Sequence, residues 1–506
     1  FPDGGWSSIK SMELFVALLN GRSCRLESVH PETFANELRR CAEIKLQVGI
    51  AALVDASGNV LASACTLQEA GVVSGDTLTA VARNMQIVAH DQGVAFAAVR
   101  SDGSVQTWGC KEDGGDSRAV KHRLQDVKHV FAAISSFAAL KVDGHVVTWG
   151  DPNHGGDSSA VQEELNNVHQ IFAATAAFAA LKEDGGIVTW GDSKRGGGCS
   201  HVKNELQDVR DVVATTAAFS ALRNDGKVVT WGDPTRGGDS RVVKRELRDV
   251  KRIYSAEAAF AAIRYDGSVV TWGHQAQGGD SSSVQAQLKK VTHIQAATSA
   301  FAALKEDKTV ITWGHPSLGG NSLSVHGQLR DVREIVSSGD AFVALREDRT
   351  VVTWGEACDG GDSSSVQHQL KDVRTICASI SACAAIRHNG TVVTWGDANH
   401  GGLSDSVQEQ LRDVKQIHSS TAAFAALKQD GSVVTWGDPF RGGDSMAVQD
   451  KLHHVQQIYA AGYAFAAVRL DGAIVTWGAP AYGGDYSLAG EDLEAREPKD
   501  FDCIQS

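Results

Sequence analysis

The chain has 506 residues, of which 22% are charged and 7% aromatic, with a formal net charge of −13. That balance is ordinary for a globular protein and argues against a nucleic-acid binder, which would carry a basic face or stripe. No run of about 18 apolar residues occurs, so no segment is expected to span a bilayer as a helix.

Residues 1–11 are a short lead that starts at Phe1, which fits either a removed presequence or a start inside a longer chain. From Met12 apolar residues alternate at Leu14, Val16 and Leu18, Asn20-Gly21 supplies a hairpin turn, and a second strand runs to about Val29. His30-Pro31-Glu32-Thr33 opens a helix with Phe34, Leu38, Cys41 and Ala42 on one face. Ala51–Val54 reads as a strand, Ser57-Gly58-Asn59 as a turn, Thr66–Val72 as a short helical turn and Asp76–Val81 as the last strand. This ββαββ order over residues 12–83 resembles ubiquitin. The resemblance implies a small α+β (β-grasp) docking domain, not a transferable tag, because Arg83 runs straight on into Asn84. It places a possible partner-binding apolar patch at Leu19, Leu53 and Ala80.

A repeat then takes over. Thr-Trp-Gly recurs ten times, at Trp108, Trp149, Trp190, Trp231, Trp272, Trp313, Trp354, Trp395, Trp436 and Trp477, always 41 residues apart. A fixed period of this length signals a solenoid, propeller or array. In the third copy Val168–Thr175, Ala177–Lys182 and Ile187–Gly191 read as three strands, with Asp184-Gly185 turning the last hairpin. Eight of ten copies carry Asp-Gly or Asn-Gly there; Asp307-Lys308 and Asp348-Arg349 are expected to make looser turns. A Gly-Gly pair, usually followed by Asp-Ser, precedes a segment with Val161, Leu165 and Val168 at helical spacing, read as a helix of about two turns with an N-cap. Small alanines suit a middle strand buried on both faces. The tryptophans are assigned to the repeat core between blades, each ring N–H seeking an acceptor.

The Val/Ile strand, Ala-Leu and Asp-Gly-x-Val-x-x-Trp-Gly together resemble the regulator of chromosome condensation repeat family over residues 85–480. The 41-residue unit is most similar to its compact bacterial relative, the β-lactamase inhibitor propeller with three-stranded blades. The resemblance implies a protein-binding ring. Thr175 and Ala177 stand where the family commonly carries Gly and His, and the constant period leaves no room for the insertion used in nucleotide exchange. Only 28 residues follow Gly478, so no ligase domain with a cysteine nucleophile is expected after the repeats.

The fold class expected is therefore mainly β: residues 84–480 form a propeller-like array of ten three-stranded repeats, and 481–506 form a tail. Ten units could make a wide ring, an open spiral or a ring with extra blades; the ring is preferred. Ser487–Leu493 reads as one more repeat helix and Phe501–Ile504 as a closing or capping strand.

Little points to chemistry. No phosphate-binding loop, zinc-protease or nucleophile-elbow motif occurs, so no catalytic residue, cofactor or metal is assigned. The turns that join Asp233 to Asp239 could offer oxygens to calcium, but their spacing suits turns and caps. His453-His454 is read as solvated helix residues. The nine cysteines (24, 41, 65, 110, 199, 358, 377, 383 and 503) are scattered and unpaired, which predicts a reducing compartment: cytoplasm, nucleus or an organelle interior. Cys377 and Cys383 could approach one another, though small apolar strand residues are the simpler reading. What varies between copies is the loop after Trp-Gly. There Phe440, Arg441 and Tyr482 are the residue types of a binding hot spot. The reading is a non-catalytic protein-interaction scaffold, an accessory subunit whose partners are other proteins, a membrane-protein complex included. The alternative is a regulator of a GTPase or of the ubiquitin pathway.

Overall fold

The computed structural model describes residues 12–18, 22–46, 50–62, 65–82 and 85–489. The chain divides into two compact units: one of residues 1–86, 98–106 and 124–128, the other of 87–97, 107–123 and 129–506.

The first unit holds β1 (Met12–Leu18), β2 (Ser23–Val29), α1 (Ala35–Leu46), β3 (Ile50–Val54) and β4 (Thr77–Ala82). Its sheet runs β2-β1-β4-β3, with β1 antiparallel to β2 and parallel to β4, and β3 antiparallel to β4. Alternation along β1 sends Leu14, Val16 and Leu18 into the core. The helix contributes Ala35, Leu38, Ala42 and Leu46, whereas Phe34 and Cys41 are exposed. The expected face was therefore misplaced: the buried stripe starts one residue later and skips the cysteine. Leu53 is only 2% exposed, and Ala80 is buried beside it. Both fill the core, so neither forms a surface patch. Leu19 and the Asn20-Gly21 turn lie outside the described residues.

Ten three-stranded sheets follow, one per repeat, each built from consecutive strands. In the third repeat the strands are Val168–Ala173, Ala177–Lys182 and Ile187–Gly191, and Phe178 lies opposite Trp190 in register. The middle strand is buried along nearly its whole length. The hairpin joining it to the third strand is a three-residue loop in which Gly185 N–H donates to Lys182 O (3.0 Å) at a φ of +78°. Lys308 and Arg349 make the same bond to Lys305 O and Arg346 O at φ values of +63° and +65°. These two turns are not looser; the ladder holds both side chains in a left-handed conformation that costs a non-glycine residue about 1–2 kcal/mol.

The segment between repeats is not the two-turn helix its periodicity predicts. In the second repeat it is a six-residue 3-10 stretch, Ser159–Glu164. Asp157 Oδ1 accepts the Ser159 N–H (2.8 Å) and Ser158 Oγ pairs with Thr148 Oγ1 (3.0 Å). Local bonds of this kind compete with helix, and six residues are too few to repay nucleation. Leu165 is buried, Val161 is half-buried, and Val168 opens the next strand. His453 and His454 likewise sit in the turn before a strand, with His454 at a φ of +53°.

Packing between repeats centres on the tryptophans. In nine repeats a phenylalanine stacks on the tryptophan at 5.1–5.3 Å and 11–21°. Each indole N–H donates to the first Gly-Gly carbonyl of the preceding repeat, as Trp190 does to Gly155 O (3.0 Å). Gly155 has a φ of +95°, and a Cβ there would lie 2.7 Å from Phe178 Cδ2, so the pair must be glycine for the blades to meet.

Within the second unit the tenth repeat joins back to the first and closes the ring. Trp108 Nε1 donates to Gly483 O (3.2 Å), which joins the first repeat to the tenth by the bond used at every other interface. Gly462 N–H donates to Gly93 O (2.9 Å) across the same seam, and Tyr486 meets Trp108 edge-on at 5.1 Å. Closure uses the tenth repeat's own loop. Residues 490–506, including the expected closing strand and Cys503, lie outside the described residues.

Candidate functional site

The ring presents two places where a ligand could be held: its axial channel and the loops that follow each Trp-Gly.

The channel is built from the turn between the first and second strands of each repeat. Ile134 N–H donates to Thr175 O, and Thr175 N–H to Thr216 O. The same 41-residue step runs through Glu257, Thr298, Gly339, Ile380 and Thr421 to Gly462, and Gly462 then bonds across the seam to Gly93, all at 2.7–3.3 Å. Threonine doubles the step where it occurs: Thr175 Oγ1 also donates to Thr216 O (2.6 Å), and Thr298 Oγ1 to Gly339 O (2.6 Å). Hydrogen-bonded chains lie ~4.8 Å apart, so ten of them place the backbone roughly 8 Å from the axis. The space it leaves is about 470 Å³, open to solvent and lined mainly by Ala, Ser and Thr.

The polar groups at its mouth are mostly committed. Arg441 Nη1 donates to Thr421 Oγ1 (3.0 Å), its Nε lies 3.5 Å from Asp438 Oδ2, and its guanidinium sits 4.7 Å over the Tyr463 ring. Tyr482 packs against the same Tyr463 at 5.2 Å. The fold thus brings Arg441 and Tyr482 together through Tyr463, which the sequence reading did not single out. In the seventh repeat, burial raises the Asp340 carboxyl above its ordinary value, helped by Asp359, Glu257 and Glu356 and opposed by His315. Asp340 Oδ1 is buried without a partner.

The loops carry the exposed apolar groups. Phe440 is 81% exposed. Its loop is fixed from both ends: Asp438 Oδ1 accepts the Phe440 N–H (2.9 Å), and Gly442 closes the turn at a φ of +96°. Met446 (84% exposed) and Leu403 (55%) line one groove with Pro439, between the loops of the eighth and ninth repeats. Neither was picked out from sequence. The signal was available: aligning the ten copies shows apolar residues at two positions that are polar in most of the others. Leu53 belongs to the core of the other unit and Leu19 is outside the described residues, so neither joins this surface.

The remaining groups are accounted for locally. Asp233 Oδ1 accepts from Thr235 N–H (2.8 Å), and Asp239 grips Arg241 through a bidentate pair. Among the described residues no group of three or more His, Cys, Asp or Glu could hold a metal ion. Cys377 pairs with Ala384 and Cys383 with Ala378, so the two thiols face opposite sides of their sheet. Burial pushes the Cys377 thiol up to about 11 and raises Cys383 further. Among the described residues no helix is long and apolar enough to cross a membrane.

No family model matches the chain, and no curated protein does. Solved structures that it resembles include yeast RCC1 (Prp20) bound to Kap60, at 16% identity over 55% of this chain and 72% of that one, with a TM-score of 0.31. Human WBSCR16 overlaps at 14% identity over 81% and 92%, TM-score 0.31. The ectodomain of the Arabidopsis thaliana receptor kinase ACR4 overlaps at 13% over 60% and 92%, TM-score 0.31. Likeness at this level carries no argument about what the chain does. The functional reading rests on the chain's own geometry: a uniform frame of ten blades, with side chains on outward loops that differ from blade to blade.

Proposed function

We propose that this chain is a non-catalytic protein-interaction scaffold, an accessory or structural subunit of a larger assembly. The observation that carries the reading is Phe440: a large aromatic, 81% exposed, on a loop locked by a side-chain cap and a left-handed glycine. A rigid exposed aromatic gives binding area with little ordering entropy, which is the physics of a hot spot. Ten copies of one local environment favour a platform over a single reaction centre, and the variation falls in the loops.

The second reading, a regulator of a GTPase or of the ubiquitin pathway, is separated from the first by two assays. Nucleotide exchange on a small GTPase and pull-down by ubiquitin receptors should both be silent for a scaffold. The direct test is the sedimentation of the endogenous chain in a gentle extract of its own cells. A scaffold migrates in an assembly of fixed stoichiometry well above its own 53.6 kDa. A free monomer at every concentration would refute it.

A further inference from the structure

The groove between the eighth and ninth loops breaks the ring's own rules. In eight repeats the residue after Gly-Gly is Asp or Asn: Asp116, Asp157, Asp239, Asp280, Asn321, Asp362, Asp444 and Asp485. Each accepts the N–H two residues on, at 2.8–3.0 Å. Leu403 replaces that carboxylate, gives up the bond and leaves a leucine 55% exposed. Met446 stands where seven copies have serine or arginine within the same turn, at Arg118, Ser159, Ser200, Arg241, Ser282, Ser364 and Ser487. Phe440 stands where Asn153, Lys194, Thr235, Ser317 and Asn399 are polar. A local rule broken without a packing gain marks function more often than stability. These three exposed apolar side chains all lie on two adjacent loops.

We propose that this groove docks a peptide segment bearing an apolar pair flanked by lysine or arginine. The inference rests on the scaffold reading and names the partner's chemistry. The apolar half follows from Leu403 and Met446, which line the groove with Val407 and Pro439, and from exposed Phe440, which follows Pro439 on the same loop. The basic half follows from charge. The groove lining holds two carboxylates, Asp438 and Asp444, and no cation. Asp438 is partnered by Arg441, whereas Asp444 has no ion pair among the described residues. A second copy of this chain is a poor occupant, since each copy carries −13.

The test pans a peptide library displayed on phage against the full chain and against the triple variant Leu403→Asp, Phe440→Thr, Met446→Ser. Each change installs a residue type that other repeats use at the same position, so the variant should fold; its thermal midpoint should equal or exceed that of the parent. The proposal expects enriched sequences with an apolar pair between basic residues, bound roughly tenfold or more weakly by the variant. The single change Asp444→Asn should weaken them less and reduce the salt dependence of binding. Equal enrichment on the variant, enrichment of acidic sequences, or no enrichment would overturn it. So would concentration-dependent self-association that the variant abolishes, because the occupant would then be a second copy. An endogenous assembly that survives the triple change would sink the groove while leaving the scaffold intact; a chain that is always monomeric would sink the scaffold itself.

Discussion

One interface departs from the aromatic packing rule, and it supplies a quantitative test. Between most other blades an alanine of one repeat faces the next repeat's phenylalanine, as Ala302 shares a buried cluster with Phe342 and Ala384 with Phe424. Between the seventh and eighth blades the pair is Val343 and Cys383, both buried beside Trp395. The valine's two extra carbons fill part of the space that the missing ring vacates. Val343→Ala alone removes two buried carbons at ~0.8 kcal/mol each and leaves a cavity, a loss of about 2–3 kcal/mol. Cys383→Phe alone forces a ring against Val343, an overpacking cost of about 1–3 kcal/mol. If the sites were independent, the double variant would lose the sum. If they share one volume, the double variant regains the packing of its neighbours, with stacking worth about 0.5–1.5 kcal/mol. Urea denaturation of the four proteins should then give a coupling energy of about 3–6 kcal/mol favouring the double change, because both single losses are recovered. Additive losses would refute the claim that these residues divide one inter-blade space.

Three further outcomes follow from the same geometry. Ser220 is buried with an unpartnered hydroxyl where most repeats have alanine, so Ser220→Ala should raise stability by about 1 kcal/mol, read as an increase in the denaturation midpoint. Arg349 holds a left-handed φ of +65° in a turn where eight repeats use glycine; Arg349→Gly should stabilise by about 0.5–1 kcal/mol, and a loss would show that the arginine makes compensating contacts. The Asp340 carboxyl is raised, so its charged form is disfavoured in the fold and the cost is fully expressed above its folded value. Asp340→Ser, the residue at the matching Ser299 and Ser381, should therefore stabilise at neutral pH. The gain should fade as pH falls through the raised value toward 3.8, the ordinary carboxylate value; a gain independent of pH would contradict the electrostatic cause.

Much of the ring was legible because its signals are local and repeated. Asp184-Gly185 marks a hairpin through backbone chemistry alone, and the 41-residue spacing of Trp-Gly places one blade after another. The misreadings arose where tertiary packing decided. Val161, Leu165 and Val168 have helical spacing, yet Val168 belongs to a strand and the Asp-Ser turn holds the rest in 3-10 geometry. Lys308 and Arg349 look like poor turn residues, but a ladder fixed on both sides leaves them no other conformation. Phe440 was legible as a hot-spot residue type. Leu403 and Met446 were not, because their meaning lies in contrast with the other copies. Nothing local in the sequence told that Arg441 would turn toward Tyr463 and Thr421 instead of facing solvent with Phe440.

The most direct test of the account is native mass spectrometry of the full chain isolated from its own cells, beside the Leu403→Asp, Phe440→Thr, Met446→Ser variant. The account predicts an assembly of fixed stoichiometry for the parent. It predicts release of at least one partner for the variant, whose ring remains folded. A parent that appears only as the 53.6 kDa monomer would contradict it, and so would a variant that keeps every partner.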